Sequence, residues 1–176
     1  MAGHNKWSKI KHKKAAGDAQ KSRIFGKLSR LISSEAKKAK GDRNAPGLRA
    51  AIEKAKRANM PGDNIERAIK KGEGGETASM EAVIYEAYGP GGAALMIEGL
   101  TDNRNRAAAE VKHALAKHGF SLAEPGSASW AFEKTDEGYK AATLCSLDES
   151  DKEKLSSLIE SLEELEDVQE VFTNAE

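Results

Sequence analysis

Apolar residues in the first third of the chain recur at helical spacing. Ile24, Phe25, Leu28, Leu31 and Ile32 share one face of a helix predicted over 19–40, which Gly41 ends. Lys21, Arg23, Lys27, Arg30, Lys37 and Lys38 take much of its remaining surface. Pro46 suits the first turn of a second helix, over 46–58, with Leu48, Ala51, Ile52 and Ala55 as its buried stripe. A turn at Asn59-Met60-Pro61-Gly62 leads to a third helix, with Asp63 as its cap and Glu66 three residues on. Ile65, Ala68 and Ile69 face inward there, and Arg67, Lys70 and Lys71 face out. Three short amphipathic helices can share one small core.

The stretch 72–79 is rich in Gly and small polar residues and reads as a linker. Beyond it the period becomes that of strands. Residues 82–88 and 93–100 form a hairpin across Gly89-Pro90-Gly91-Gly92. Thr101-Asp102-Asn103 opens a helix to about residue 118, with Ala107, Val111, Ala114 and Leu115 inward and Gly119 as its stop. Strands are predicted at 120–123, 127–133 and 139–147, then an acidic helix with Leu155, Leu158, Ile159, Leu162 and Leu165 as its stripe, then a strand at 168–172. The fold class that follows is α+β: a basic three-helix domain over 15–71, then a sheet domain over 80–176 with helices on one face. Residues 1–14 carry five lysines and two large apolar residues, and are expected to be an arm that folds only on a partner.

Composition adds one decisive fact. The formal net charge is zero, but the charges are segregated. Through Lys71 there are 20 basic and 6 acidic residues, a net +14; from Gly72 onward there are 8 basic and 22 acidic, a net −14. An excess of that size points to a polyanion partner for the basic half. No apolar run is long enough to span a membrane, and the start, MAGHNKW, lacks the apolar stretch of a secretory signal. The single cysteine, Cys145, permits no intrachain disulfide and suits a reducing cytoplasm.

Candidate chemistry is sparse. His4, His12, His113 and His118 fall in no metal-ligand spacing, and Cys145 in an apolar strand reads as a buried structural thiol. Neither a phosphate-binding loop nor a nucleophile motif is present, so no enzyme, cofactor, metal or small-molecule substrate is expected. Lys6, Lys9, Lys11, Lys13 and Lys14 of the arm, with Arg67, Lys70 and Lys71, can neutralise phosphates and release counterions. Trp7 among them either stacks on an unpaired base or pins the arm to the helices. Arg104 and Arg106 open a helix, where positive charge opposes the helix dipole. They bind phosphate, orient the two domains, or pair with the acidic C-terminal helix. Glu160, Glu163, Glu164, Glu166 and Asp167 read as a solvated acidic face. Charge alone fits RNA and DNA equally.

The segments GHNKWSKIKHKK, NMPGDNIERAIKKG, YEAYGPGGAALMIE, LTDNRNRAAAEVKHALAKHG and LEELEDVQEVFTNAE resemble, in order, signature segments of the YebC/PmpR family. The resemblance implies a helical N-terminal domain followed by α+β domains. Family members have been labelled DNA-binding transcriptional regulators. More recent family knowledge places bacterial members on ribosomes stalled at proline-rich stretches and makes mitochondrial relatives activators of translation. It implies a cytoplasmic translation factor bound to ribosomal RNA or tRNA on the ribosome, with DNA as the alternative partner. Carried over residue by residue, the contacts are the arm lysines, Arg67, Lys70, Lys71, Arg104 and Arg106. One departure stands out: typical members insert a third, ferredoxin-like domain where this chain has only Thr135-Asp136-Glu137-Gly138.

Overall fold

The computed structural model describes residues 17–75 and 77–176. These divide into two compact units, with the division between Met80 and Glu81.

The first unit holds three helices: α1 (Asp18–Ala39), α2 (Pro46–Arg57) and α3 (Gly62–Glu73). Their apolar stripes meet in one core, in which Leu28, Ile32, Leu48, Ala55, Ile65 and Ile69 are buried. Left-handed backbone at Lys40 (φ 51°) and Gly41 (φ 92°) ends α1. The predicted capping box on α3 does not form. The helix starts a residue earlier, at Gly62, and has no side-chain cap. Glu66 instead accepts two bonds from Arg43 Nη1, at 3.1 and 3.0 Å.

Small residues let α1 and α3 approach closely. Ser33 Oγ donates to the Ala68 carbonyl oxygen at 2.8 Å, and Gly72 is buried against the Ser33 carbonyl and Ala36. Gly72 and Glu73 therefore belong to the last turn of α3, although their composition reads as linker. Thr77 is also folded back: its carbonyl accepts from Lys37 Nζ at 2.5 Å.

The second unit is built on a four-stranded antiparallel sheet. Its strands and helices are β1 (Glu81–Tyr88), β2 (Ala94–Thr101), α4 (Arg104–Lys117), β3 (Leu122–Ala123), β4 (Phe132–Thr135), β5 (Gly138–Ala141), α5 (Glu149–Glu163) and β6 (Val168–Thr173). The sheet order is β3-β1-β2-β6, and β4 and β5 form a separate hairpin. Side chains alternate across the sheet. Ala87, Leu95, Ile97 and Val171 face α4 and α5, meeting Val111, Leu115, Leu155, Leu158 and Leu162. Ala94, Met96 and Phe172 face the other way, against Phe132, Tyr139, Ala128 and Ala131. Both helices thus lie on one face, and the hairpin covers part of the other.

Two predicted strands are shorter than their patterns suggested. Within 127–133, residues Ser129–Ala131 make a single 3-10 turn and the strand begins only at Phe132. The cause is Glu86. Its carboxylate accepts the backbone N–H groups of Gly126, Ala128 and Ser129 at 2.7, 2.7 and 2.9 Å, so no ladder takes them. Within 139–147, pairing stops at Ala141 because the next two N–H groups turn to the Ala131 carbonyl. Cys145 lies past that stop in an isolated parallel bridge to Ala175, and it is only half-buried.

Burial opposes ionisation of Glu86, but the three N–H donors outweigh it and hold the carboxyl below its ordinary value of 4.5. Its contribution to stability is therefore present in full above pH 4.5 and is lost as the pH falls through the depressed value. Glu86→Gln should lower stability by about 2 kcal/mol at neutral pH, since charge-assisted bonds weaken. Urea melts at pH 7 and pH 3 check this; the gap between variant and parent should narrow at the lower pH.

Candidate nucleic-acid interface

Burying the apolar stripes of α1–α3 leaves their polar faces to solvent, and those faces are basic. Residues 17–75 carry 15 basic and 7 acidic side chains. The charge is not uniformly outward: Lys27 is buried, and Arg30 and Lys37 are half-buried beside the core. On α3, Arg67, Lys70 and Lys71 are all exposed, as their spacing predicts. Arg67 Nη2 reaches Asn64 Oδ1 on its own helix at 3.2 Å. Lys70 and Lys71 make no ion pair among the described residues and sit in the last turn, where cations complement the helix dipole.

The described glutamates of this unit are engaged at the surface. Glu66 and Glu73 share Arg43 at 3.0 and 3.7 Å, Glu35 meets Lys38 at 2.8 Å, and Glu53 meets Lys56 at 3.3 Å. Solvent-exposed pairs of this kind are worth about 0–1 kcal/mol, so an arriving phosphate can compete for their cations. The arm residues Lys6, Trp7, Lys9, Lys11, Lys13 and Lys14 lie outside the described residues.

Arg104 and Arg106 belong to the second unit. Asn103 caps α4 by accepting the Arg106 backbone N–H at 3.1 Å. Arg104 Nη1 pairs with Glu81 Oε2 at 3.0 Å, and both side chains are well exposed. Arg106 is more tightly held. Its Nη2 bonds Asp167 Oδ2 at 2.8 Å and Asp102 Oδ1 at 2.6 Å. Those bonds, Asp167 first, raise the guanidinium above its ordinary value. Asp167 itself is buried and also accepts from Thr101 Oγ1 at 2.8 Å. The structure therefore removes Asp167 from the solvated acidic face and makes it an anchor between the start of α4 and the turn after α5. Of the three roles open to Arg106, internal ion pairing with the acidic C-terminal segment is the one its geometry displays.

Sequence reading missed Trp130. Taken as a strand residue, it sits in the 3-10 turn with 60% of its surface exposed. Its Nε1 donates to Tyr88 Oη at 2.8 Å, and that hydroxyl donates to the Ser127 carbonyl. The upstream run Glu124-Pro125-Gly126-Ser127 is the loop signal that could have found it. His113 is exposed, and His118 Nε2 lies 2.9 Å from Ser161 Oγ. Among the described residues, no three His, Cys, Asp or Glu side chains gather as a metal requires, and no helix is long and apolar enough to cross a membrane.

Comparison with known proteins agrees with this layout. A family model described as the TACO1/YebC protein N-terminal domain matches residues 5–75. One described as the TACO1/YebC second and third domain matches residues 80–137. A "Probable transcriptional regulatory protein" of Halothermothrix orenii is 48% identical over 165 residues, covering 93% of this chain and 63% of the relative. One so named in Thermosipho africanus is 56% identical over 136 residues, covering 76% and 54%. Another, in Desulfatibacillum aliphaticivorans, is 49% identical over 177 residues, covering 98% and 71%. The chain thus spans between about half and three-quarters of the length of these relatives. The crystal structure of a conserved hypothetical protein from Aquifex aeolicus superposes with a TM-score of 0.75 at 34% identity, covering 90% of this chain and 91% of that one. With two helical and sheet units in this order, and family models spanning most of both, the chain belongs to the TACO1/YebC family.

Proposed function

We propose that the chain is a nucleic-acid-binding translation factor. Its basic helical unit and N-terminal arm hold ribosomal RNA or tRNA in the cytoplasm and help ribosomes through proline-rich stretches. The observation that carries the reading is the segregation of charge, +14 through Lys71 and −14 beyond it. Lysines and arginines on an exposed face gain affinity for phosphate by counterion release, without reading sequence. The residues assigned to this contact are Lys6, Lys9, Lys11, Lys13, Lys14, Arg67, Lys70 and Lys71. Arg104 is a further contact, while Arg106 acts through its ion pairs in holding the start of α4. The resemblance supplies the ribosome and the proline-rich message.

The name these relatives carry favours a second reading, a DNA-bound regulator of transcription. Base readout asks for a recognition helix presenting Asn, Gln and Arg to a groove. The outward residues of α3, Arg67, Lys70 and Lys71, suit phosphate instead.

Sedimentation with ribosomes across a salt series tests the proposal. The full chain should co-migrate at low salt and dissociate with a log–log slope of about −0.7 to −0.9 per phosphate contacted. Changing Lys9, Lys11 and Lys13 together to Ala should flatten that slope by about 2. An unchanged slope removes the arm from the interface. Failure to co-migrate at low salt sinks the translation reading, and marked preference for one promoter over random duplex would establish the second.

A further inference from the structure

We propose that the sheet face turned away from α4 and α5 is the docking site of the chain's own basic arm, so that arm docking and RNA binding compete. The competition rests on the RNA-binding reading above; the docking does not. Alternation sets what that face carries. Met96 and Phe172 lie on it beneath the hairpin, and Glu86 on it holds the loop before the hairpin. One row further along, Ile84, Glu98 and Glu170 stand side by side across β1, β2 and β6. Ile84 is 47% exposed, and both glutamates are half-buried. Carboxylates directly opposite on neighbouring strands repel unless a cation is shared between them. Their field reaches the hairpin: burial pushes the Tyr139 hydroxyl up first, and the charges of Glu98 and Glu86 push it further. The hairpin itself carries Glu133, Asp136 and Glu137 against Lys134 and Lys140. Such a face suits a cationic segment with a small apolar part to meet Ile84.

The arm has that composition. Residues 1–16 hold five lysines and no acidic residue, with Trp7 and Ile10 among them. Lys9, Lys11 and Lys13 alternate, so an extended segment turns all three to one side. Lysines of that row meet Glu98 and Glu170, and Trp7 covers Ile84. Reach is sufficient. The eleven residues from Lys6 to Ala16 span about 35 Å when extended, which is about the width of a unit of 100 residues. Each exposed ion pair is weak. A tethered segment nonetheless meets its site at an effective concentration of about millimolar, and several pairs then act together. RNA draws the same lysines to its phosphates by counterion release. While the arm is docked those lysines are withheld, so the apparent affinity for RNA falls by the fraction of molecules in which the arm is free.

The chain has two tryptophans, so in a Trp130→Phe background the fluorescence of the full chain reports Trp7 alone. Its emission should be blue-shifted at low salt and move to that of a solvent-exposed indole at about 1 M salt, where ion pairs are screened. Glu98→Gln with Glu170→Gln should give the solvent-like emission at low salt. The same pair should speed tryptic cleavage after Lys9, Lys11 and Lys13 by about 3- to 10-fold, because cleavage follows the free fraction, and tighten RNA binding by a like factor. A charge swap guards against mere misfolding. Glu98→Lys with Glu170→Lys should release the arm, and adding Lys9→Glu, Lys11→Glu and Lys13→Glu should restore the blue shift. Solvent-like emission in the parent at low salt, or a swap that restores nothing, overturns the docking while leaving the basic interface standing. Cleavage that slows as protein concentration rises also overturns it, because the arm of a second copy would then be the occupant. Docking signals with RNA affinity unchanged in the Gln pair overturn the competition. Docking signals in a protein that binds no RNA at low salt leave the docked arm standing and sink the RNA-binding reading.

Discussion

Phe172→Ala should lower the stability of the sheet unit by about 3–5 kcal/mol, the range for emptying a buried phenylalanine site. Phe172 is 1% exposed and stands on β6 opposite Met96 of β2. Its ring meets Tyr139 edge-on, with centroids 5.5 Å apart, and Tyr139 meets Phe132 in the same way at 6.2 Å. The turn of the β4–β5 hairpin also closes on it. Gly138 has φ 116°, and a Cβ there would press into the Phe172 ring. Removing the ring therefore opens a void beneath the hairpin, where Phe132 and Tyr139 pack against the sheet. For a unit of about 100 residues the melting temperature should fall by about 15 °C or more. Calorimetry on the full chain measures this, and a shift under about 5 °C would mean that the hairpin collapses into the gap.

Gly72→Ala should destabilise the helical unit by about 3 kcal/mol, an unusual cost for adding one methyl group to a helix. In an open helical site the same change stabilises by about 0.5–1 kcal/mol. The sign reverses because the new Cβ runs into the Ser33 carbonyl of α1 and comes within 2.8 Å of Ala36 Cβ. A carbonyl oxygen in mid-helix cannot swing aside, so α1 and α3 must separate, and the Ser33–Ala68 bond goes with them. Gly26→Ala, on α1 with nothing within 4 Å, is the control and should stabilise. A helical unit of about 60 residues has only a few kcal/mol in reserve. Gly72→Ala should therefore abolish the salt-sensitive RNA binding proposed above along with helicity, whereas Gly26→Ala should keep both. Circular dichroism melts and a binding titration on the two variants make the comparison. Equal stabilities would show that the α1–α3 contact is not close-packed.

These two sites also mark how far the sequence could be read. Phe172 fell at the end of a predicted strand, but the strand pattern did not tell that the β4–β5 hairpin closes on its ring. Gly72 was placed in a linker, because a glycine that ends a helix and a glycine that lets two helices touch look alike in one dimension. The exposed cations of α3 could be read from spacing, since a periodic apolar stripe fixes which side chains must face water. The partner of Arg106 could not be read from its surroundings in the chain, because Asp167 is 61 residues away and looked like one more member of an acidic run. Trp130 was hidden for a related reason. The alternation around it was compatible with a strand, and the carboxylate that breaks the ladder sits 42 residues earlier, at the contact of Glu86 with Ala128.

The sequence by itself determined the α+β class, the three amphipathic helices, both sheet-packed helices and the separation of charge. Each of these rests on periodicity or composition, which local chain geometry converts directly into structure. Only the tertiary structure decided where strands stop, which charges are neutralised and which aromatic ring stays in solvent. Those outcomes depend on buried polar groups finding partners across long stretches of chain. A carboxylate such as Glu86 or Asp167 takes its role from the donors the fold brings to it, and no local pattern records which donors those will be.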